Sequence, residues 1–364
     1  MASGITPDAN RAVTRTALIA GATGACAKRL VEVLLASPGW NVIGLARNPP
    51  SAVCRGRLSF LRTDLLDTAD AERALRDCTT VTHVFYVARA KHGEGGVESV
   101  ADNTAMLHNM LDSLLPIARD LQHVHLVQGG KYYGLHLGPY PSPAREDDPR
   151  AESPNFYYDQ EDMLRARQCG NRWTWSASRP NVICDFAPER ARNLVSLLGA
   201  YAAVTAELSM PLHFPGRPGC WEALTEVTDA THLARAMVFM ATDPRAANRA
   251  FNVSNGDVFR WKRLWPRLAA YFGLAVGEVR PCLLAQLMAD KDPIWQQVVR
   301  RHGLVASRLD DRAVWEFGDF LFRQDYDVVS STTRLRQAGF HDVVDTEAMF
   351  LDHLMRYREA RLLP

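Results

Sequence analysis

The sequence predicts an α/β fold, a doubly wound parallel sheet with a smaller, mainly helical C-terminal substrate domain. Three observations lead to this prediction. Apolar strand-like runs alternate with helical segments over the first half of the chain, the first strand enters a tight turn of small residues, and the alternation ends near residue 187. Strands that are apolar along their whole length are buried on both faces. The pattern therefore favours a parallel sheet covered by helices.

The first strand, turn and helix form a βαβ unit with the strand that follows. The strand and turn occupy residues 16–27, and the helix after them carries Leu30, Val31, Leu34 and Leu35 on one face. This helix ends at Pro38-Gly39, and a second strand is predicted at residues 40–46. The turn has the spacing Gly-x-x-Gly-x-x-Ala, the looser form found in short-chain reductases. The sheet is thus predicted to be of the Rossmann type.

The turn and the end of the second strand predict a bound dinucleotide. Small residues in the turn let a pyrophosphate approach backbone N–H groups and the positive end of the helix dipole. Arg47 follows the second strand, where a carboxylate would accept from a free 2'-hydroxyl and an arginine would pair a 2'-phosphate. Arg47 therefore points to NADP. The alternative is a solvated charge at the end of a strand.

The alternation continues along the chain and then breaks down. Strands are predicted at residues 58–62, 83–87, 123–127 and 173–178, and helices at 69–77, 97–115 and 157–168. Beyond residue 187 come apolar helices and a Pro-rich loop at 210–218, and a short strand at 252–254 returns to the sheet. The predicted domains are residues 1–187 plus 222–256 for NADP binding, and 188–221 plus 257–364 for substrate binding or a lid.

Composition excludes several classes of function. The chain has 364 residues, 47% of them hydrophobic, and a formal net charge of +1, so neither a nucleic-acid surface nor an anionic membrane is indicated. The longest apolar stretch, residues 194–208, is too short to cross a bilayer and is interpreted as a buried helix. Residues 1–15 are polar and lack a secretory signal, which predicts a cytoplasmic protein.

Cysteine and histidine positions give no sign of a metal site. The seven cysteines lack paired or metal-type spacing, which predicts reduced and mostly buried thiols. His123 and His125 alternate within a strand, but no acid or cysteine cluster accompanies them. They are interpreted as structural histidines, and no metal is expected.

Residues directly after each strand are the candidate site, because ligands of such sheets bind at the carboxyl ends of the strands. Besides the first turn and Arg47, these are Asp64, residues 88–89, residues 129–131 and residues 180–183. Asp64 has two interpretations, a contact with the adenine edge or a helix cap.

Tyr157 and Lys131 are the candidate catalytic residues. Tyr157 lies at the start of a helix, but the position four residues later, where most short-chain reductases have lysine, holds Glu161. Lys131 follows another strand and could supply the same charge, which favours phenolate character and proton donation. The alternative is a core phenol and a solvent-facing lysine. The charged run at 145–148 between them is interpreted as a solvated loop, with a lid role as the alternative.

The chain resembles the progesterone 5β-reductase and iridoid synthase family, a branch of the extended short-chain dehydrogenases/reductases. The resemblance spans nearly the full length, and the plain composition suits a bacterial member. It rests on the Gly21 turn, Asn103, Gly130-Lys131 and the segments 42–47, 82–87, 155–158, 178–181, 250–262, 292–295 and 315–319. Departures from the family pattern occur at Ala27, Ala88-Arg89, residues 132–137 and Asp185.

The resemblance implies that Tyr157 and Lys131 are catalytic and that NADPH is the cofactor. The cofactor-binding set is Gly21, Thr23, Gly24, Ala25, Cys26, Arg47, Asp64, Leu65, Val87, Ala88, Gln128, Tyr157, Pro180, Asn181, Val182 and Ile183. The departures from the family pattern after Val87 and Lys131 border the expected substrate pocket. Aromatic residues near the C-terminus are further candidates for its lining, and core packing is the alternative interpretation for most of them. The pocket set is Arg89, Tyr133, Gly134, Leu137, Trp315, Phe317 and Phe320.

The resemblance implies reduction of the activated C=C bond of a small-molecule enone or enal. Hydride adds to the β-carbon while Tyr157, assisted by Lys131, stabilises the enolate oxygen. One alternative is 1,2-reduction of a ketone or aldehyde by the same residues. Another is a protein that senses NADP without catalysis. Family resemblance also makes a homodimer possible.

Overall fold

A computed structural model of the chain describes residues 14–50, 54–91 and 98–364. It divides into two compact units, the first comprising Met1–Leu126 and Asp159–Trp175, and the second Val127–Tyr158 and Ser176–Pro364. Each unit is described by itself. Two strands and one helix begin in one unit and end in the other.

The elements up to Trp175 belong mainly to the first unit. Its strands are β1 (Arg15–Ala20), β2 (Trp40–Ala46), β3 (Cys54–Arg55), β4 (Leu58–Arg62), β5 (His83–Tyr86), β6 (His123–Val127) and the start of β7 (Thr174–Pro180). Its helices are α1 (Ala25–Ala36), α2 (Thr68–Leu75), α3 (Val100–Leu114) and most of α4 (Phe156–Gln168).

The second unit is mainly helical. Its strands after β7 are β8 (Ile183–Cys184), β9 (Leu212–Phe214), β10 (Thr228–Asp229), β11 (Arg249–Val253) and β12 (Val276–Val279). Its helices are α5 (Leu194–Glu207), α6 (Pro218–Glu222), α7 (Ala230–Thr242), α8 (Trp261–Tyr271), α9 (Leu284–Leu287), α10 (Asp292–His302), α11 (Trp315–Phe322), α12 (Thr333–Gln337) and α13 (Thr346–Glu359). A 3-10 turn at Gly130–Tyr133 follows β6.

In the first unit the strands of the main sheet have the order β6-β5-β1-β2-β4-β3. In the first unit β1 is central and pairs in parallel with both β2 and β5, and β3 is an antiparallel edge strand. In the second unit β7 pairs in parallel with β11, from Ser176↔Arg249 to Pro180↔Val253. The predicted doubly wound, Rossmann-type sheet is confirmed.

Strand β1 forms the core of the first unit. Ala17, Leu18, Ile19 and Ala20 are fully buried because β1 lies inside the sheet. Its neighbour β2 contains Gly44, where a Cβ would lie 2.7 Å from the Phe60 ring. The absence of a side chain at this position lets the phenyl ring pack against the strand.

Helix α5 forms the core of the second unit. Every residue of α5 from Leu194 to Thr205 is buried, which confirms the buried helix predicted at 194–208. Around it α8, α10, α11 and α13 contribute apolar side chains to one cluster. Phe214 packs edge-to-face against Trp265 and Phe322, with ring centroids 5.0 and 5.3 Å away. Such aromatic pairs add stability beyond their buried area.

Two sequence expectations concern the chain as a whole. Among the described residues, no helix is long and apolar enough to cross a membrane. Four of the six cysteines whose side chains are described are buried, whereas Cys169 and Cys282 are exposed. The side chain of Cys54 and residues 1–13, where a secretory signal was not expected, lie outside the described part of the chain.

Candidate functional site

The first unit contains the glycine turn between β1 and α1. Gly21 has a φ of +81°, and a Cβ there would lie 2.8 Å from the Cα of Ala88. The N–H groups of Gly21 and Ala22 both donate to the Leu45 carbonyl, at 3.1 and 3.0 Å. The N–H of Gly24 donates back to the Gly21 carbonyl at 3.0 Å. Backbone conformation and close packing both require glycine at position 21.

The start of α1 is suited to an anion. Gly24 is the N-cap and supplies no side-chain acceptor, and the first turn contains no acidic residue. The first N–H groups of a helix lack partners within the helix, so a bound anion can accept from them. Ala27 is fully buried, which shows that alanine in the third position of the motif still lets the helix pack closely.

Arg47 and Asp64 follow two neighbouring strands of the first unit. Arg47 is exposed directly after β2, and it forms no ion pair with a residue in the described part of the chain. Asp64 follows β4 and accepts from the Leu66 N–H at 3.1 Å. The helix-cap interpretation of Asp64 is wrong, because Asp67 is the N-cap of α2 and accepts from the Asp70 N–H. Leu65 is buried next to Asp64.

The segment after β5 lies beside the glycine turn. The Val87 N–H donates to the Ala20 carbonyl at 3.0 Å, and Ala88 is buried beside Gly21. Arg89 is paired with Glu98 at 3.0 Å, so its charge is partly neutralised.

In the second unit, Asn155 holds the segments of both candidate catalytic residues. Its side-chain Nδ2 donates to the Lys131 carbonyl at 2.9 Å, and its Oδ1 accepts from the Tyr157 N–H at 3.0 Å. Tyr157 is only 1% exposed. A Cβ on Gly129 would lie 3.3 Å from the Tyr157 hydroxyl oxygen. The phenol therefore lies against the glycine backbone that precedes Lys131.

Further hydrogen bonds hold the same two segments. The Tyr158 hydroxyl donates to the Tyr132 carbonyl at 2.6 Å and accepts from the Ala151 N–H at 3.0 Å. The Gln128 side chain donates to the Tyr157 carbonyl at 3.3 Å. Hydrogen bonds from both sides thus fix the chain before and after each candidate residue.

Arg179 is the centre of a polar cluster that the sequence analysis did not identify. Its buried guanidinium donates to the Gln128 side chain at 2.8 Å, to the Glu146 carbonyl at 3.0 Å and to the Tyr133 hydroxyl at 3.2 Å. The guanidinium carbon also lies 3.3 Å from the centroid of the Tyr132 ring. In the sequence Arg179 stands out only as part of the family segment 178–181. Nothing local distinguishes it from a surface arginine.

Glu146 corrects the prediction of a solvated loop at 145–148. Its side chain is buried, accepts from the Asn252 N–H at 2.9 Å, and lies 3.6 Å from Arg334. Burial raises the pKa of this carboxyl, although its hydrogen bonds and the arginines oppose the rise. The Tyr133 hydroxyl donates to the Asn252 side chain at 2.5 Å and completes the cluster. The prediction was wrong for Glu146, whose partners are distant in sequence, whereas Arg145 and Asp147 are exposed as expected.

The segment after β7 passes beside the same glycines. The Gln128 N–H donates to the Ser178 carbonyl at 2.8 Å, and a Cβ on Gly129 would lie 3.4 Å from the Pro180 carbonyl oxygen. The Val182 carbonyl accepts from Thr228, and Ile183 begins the short parallel pair of β8 and β10. Backbone contacts thus fix residues 180–183 next to Gly129.

The residues predicted to line the substrate pocket have different environments. Tyr133 is buried in the Arg179 cluster, Gly134 has a φ of +82°, and Leu137 is 58% exposed. Trp315 is buried in the core cluster, and Phe317 and Phe320 pack against it. Trp315 is therefore a core residue, in line with the alternative interpretation of these aromatic side chains.

The two strand histidines are buried. Burial lowers the pKa of His125 to about 3, and the Nδ1 atom of His123 lies 2.8 Å from the Thr174 hydroxyl. Among the described residues, no group of three His, Cys, Asp or Glu side chains could hold a metal.

The parallel sheet with a glycine turn after its first strand is the fold of the short-chain dehydrogenases/reductases. The sequence relatives of this chain support an oxidoreductase. A family model described as a PRISE-like Rossmann-fold domain matches residues 62–364, and the chain belongs to this family.

Sequence relatives match over nearly the whole chain. An (S)-8-oxocitronellyl enol synthase from Nepeta cataria is 35% identical over 98% of this chain and 95% of the relative. A 3-oxo-Delta(4,5)-steroid 5-beta-reductase from Arabidopsis thaliana is 34% identical over 96% of this chain and 91% of the relative. The family predicted from the sequence is confirmed.

Solved structures share the fold at lower identity. The enzyme WbmG from Bordetella bronchiseptica, in complex with NAD and UDP, has a TM-score of 0.65 and 18% identity, covering 95% of this chain and 96% of that chain. A UDP-glucose 4-epimerase from Thermus thermophilus in complex with NAD has a TM-score of 0.63 and 19% identity, covering 93% and 99% of the two chains. At this identity they support the fold alone.

Proposed function

We propose that this protein is an NADPH-dependent reductase of the activated C=C bond of enones and enals. The observation that carries the proposal is the sequence similarity, over nearly the whole chain, to two kinds of relative. The names of these relatives describe related chemistry. A 3-oxo-Δ4,5 steroid is an enone, and a 5-reductase adds hydrogen at its β-carbon. An enol is the first neutral product when hydride adds to the β-carbon of an enal.

Three features of the first unit support NADPH as the cofactor. The Gly21 turn packs against the Ala88 backbone without a side chain, the start of α1 offers N–H groups to an anion, and the exposed Arg47 is available to a 2'-phosphate. Asp64 and Leu65, residues 87–88, Gln128 and residues 180–183 complete the proposed binding set. When bound, NADPH supplies the hydride.

Tyr157 is proposed to donate a hydrogen bond to the carbonyl oxygen of the substrate. Negative charge grows on that oxygen as the β-carbon is reduced, so one preorganised donor can lower the barrier by about 3 kcal/mol. Lys131 is proposed to stabilise this charge and to make proton donation by the phenol easier. The α-carbon then takes its proton from solvent, which converts the enol to the saturated carbonyl product.

The hydrogen bonds around these residues support such a role. Asn155 bonds both segments, and Gln128 and Tyr158 hold the backbone on either side. A donor whose position is fixed before the reaction does not have to be reoriented when charge develops. This preorganisation is what an enolate-stabilising site requires.

The test is NADPH oxidation with a panel of enones, enals and saturated ketones, with NADH in parallel and products identified by mass and NMR. We expect saturated carbonyl products and a preference for NADPH. Allylic alcohols would replace the proposal with 1,2-reduction by the same residues. NADPH binding without turnover of any carbonyl compound would instead indicate a non-catalytic NADP-binding protein.

A further inference from the structure

Arg179 is a buried arginine near the end of β7, in the second unit. It is 2% exposed, and its Nε donates to the Gln128 side-chain oxygen at 2.8 Å. Its Nη1 donates to the Glu146 carbonyl at 3.0 Å and to the Tyr133 hydroxyl at 3.2 Å. Guanidinium donors point in fixed directions within one plane, so a single rigid group orients all three partners.

Gln128 connects Arg179 to the backbone of Tyr157. The Gln128 side-chain oxygen accepts from the guanidinium, and its Nε2 donates to the Tyr157 carbonyl at 3.3 Å. Because a guanidinium only donates and a carbonyl only accepts, these two bonds fix the orientation of the amide between them. Arg179 thereby acts on the segment that carries the phenol.

The guanidinium also lies against the segment of Lys131. Its carbon is 3.3 Å from the centroid of the Tyr132 ring, and Tyr132 directly follows Lys131. Residues 130–133 form one 3-10 turn, so a displacement of Tyr132 would move the backbone of Lys131 as well. One side chain therefore acts on both candidate catalytic segments.

Packing alone does not account for a charged side chain at position 179. Burying a cation costs free energy that an apolar side chain of similar volume avoids. The contacts of Arg179 also need a flat group with several donors, and lysine has neither the flat face nor the fork of donors. The contacts therefore favour a role in the geometry of the site.

We propose that Arg179 is a positioning residue, which holds the Lys131 and Tyr157 segments in the relative placement that stabilisation of the enolate requires. It acts through Gln128 on one segment and through Tyr132 on the other. This inference rests on the proposed function and adds a residue that acts on the reaction only through others. A misplacement of about 1 Å in a site can lower the rate about a hundredfold.

The first test is Arg179→Lys, which keeps the charge and loses the planar donors. With NADPH and the best enal of the panel, we expect kcat to fall by about tenfold or more and NADPH affinity to change less than about threefold. Arg312→Lys is the matched control, since Arg312 is another buried arginine of the second unit and donates to the Ser307 hydroxyl at 3.2 Å. It should keep the wild-type kcat. Wild-type kcat in Arg179→Lys would overturn the inference.

A double-variant cycle separates positioning from a loss of folded protein. If Arg179 acts by placing the phenol, its replacement should matter little once the phenol hydroxyl is absent. In the Tyr157→Phe background we therefore expect Arg179→Lys to lower kcat by less than about threefold. An equal decrease in both backgrounds would assign Arg179 a purely structural role.

Tyr132→Leu is the second variant if Arg179→Lys does not fold. It removes the aromatic face against which the guanidinium lies, and it keeps the backbone carbonyl that accepts from the Tyr158 hydroxyl. We expect kcat to fall by about fivefold with NADPH affinity unchanged, because the guanidinium loses one of its two routes to the site. A folded Tyr132→Leu variant with wild-type kcat would contradict the inference.

A measurement without turnover distinguishes this inference from the proposed function. If no carbonyl compound is reduced, the proposed function fails, and NMR of protein labelled with ¹³C at the tyrosine Cζ still reports the surroundings of Tyr157. The signal is assigned from its loss in Tyr157→Phe. With NADP⁺ present, we expect Arg179→Lys to shift this signal and Arg312→Lys to leave it in place. An unshifted signal in Arg179→Lys would overturn the positioning role even in an active reductase.

Discussion

The Tyr157 hydroxyl is the single group on which the proposed chemistry depends most. Tyr157→Phe keeps the ring and the backbone bonds to Asn155 and Gln128, and it removes only the donor. We expect kcat to fall by about a hundredfold, because the lost bond acts in the transition state. NADPH affinity, measured by fluorescence titration, should change less than about threefold. A variant with wild-type kcat would refute the catalytic assignment.

Arg47 determines the choice between the two nicotinamide cofactors in our proposal. It is exposed after β2, so Arg47→Ala should leave the fold intact. We expect the KM for NADPH to rise by about tenfold or more and the KM for NADH to change little, because only NADPH has the 2'-phosphate. The control is Arg119→Ala, which removes another exposed arginine of the first unit. Equal changes in the KM values for NADPH and NADH would mean that Arg47 is a solvated charge and does not bind the 2'-phosphate.

At the scale of elements, the segment from β6 to α4 is held chiefly through Asn155. Its amide bonds the Lys131 carbonyl and the Tyr157 N–H, so Asn155→Ala should displace both residues without removing either. We expect kcat to fall by about tenfold with NADPH affinity unchanged, because misplaced donors lose transition-state contacts before they lose binding.

The control for this segment is Asn171→Ala, which removes an exposed amide just after α4. Within the described residues this amide bonds only the Arg167 carbonyl. It should keep the wild-type kcat. Far-UV circular dichroism and a pH–rate profile accompany the kinetics. If the role of Asn155 is purely structural, the variant should lose activity in proportion to its unfolded fraction, and its pH–rate profile should match that of the wild type. A positioning role should move the profile, since it changes the surroundings of the phenol.

The strands in the first half of the chain could be predicted because the sequence patterns that indicate them are local. Predicted strands at 40–46, 58–62 and 123–127 match β2, β4 and β6, since a run of apolar residues of that length between turn residues is itself the signal. Helix starts were less accurate. Helix α3 was predicted from residue 97 but begins at Val100, because the Ser99 side chain caps it by accepting from Asp102.

The candidate site could be predicted only where its residues belong to motifs. Gly21, Lys131 and Tyr157 stand in recognisable segments, whereas the burial of Arg179 and Glu146 depends on residues far away in sequence. Glu146 meets Asn252 across a sequence separation of 106 residues. A charged residue has the same local pattern whether such a partner buries it or water surrounds it. The Arg179 cluster could therefore be recognised only in the structure. The predicted domain boundaries stay a prediction.

At the scale of the whole molecule, the buried carboxyls make stability depend on pH. Glu226 has a pKa raised from 4.5 to about 7 in the folded state, chiefly by burial. As the pH rises from 4.5 to 7, the unfolded chain releases this proton before the folded protein does. The folded state consequently loses stability across that interval, and above pH 7 the loss is complete. The full shift corresponds to roughly 3 kcal/mol.

Glu226→Gln should remove this loss, since glutamine has nearly the same shape and does not ionise. We expect the variant to unfold about 3 °C higher than wild type at pH 8 and at nearly the same temperature at pH 4.5, measured by calorimetry without ligand. Glu222→Gln, which changes an exposed carboxyl, should show no such difference between the two pH values. A Glu226→Gln variant no more stable than wild type at pH 8 would mean that hydrogen bonds from Ser330, Ser254 and Asn181 offset the cost of burying the charge. A gain in stability at pH 8 would instead show that burial of the charged carboxylate destabilises the folded protein above pH 7.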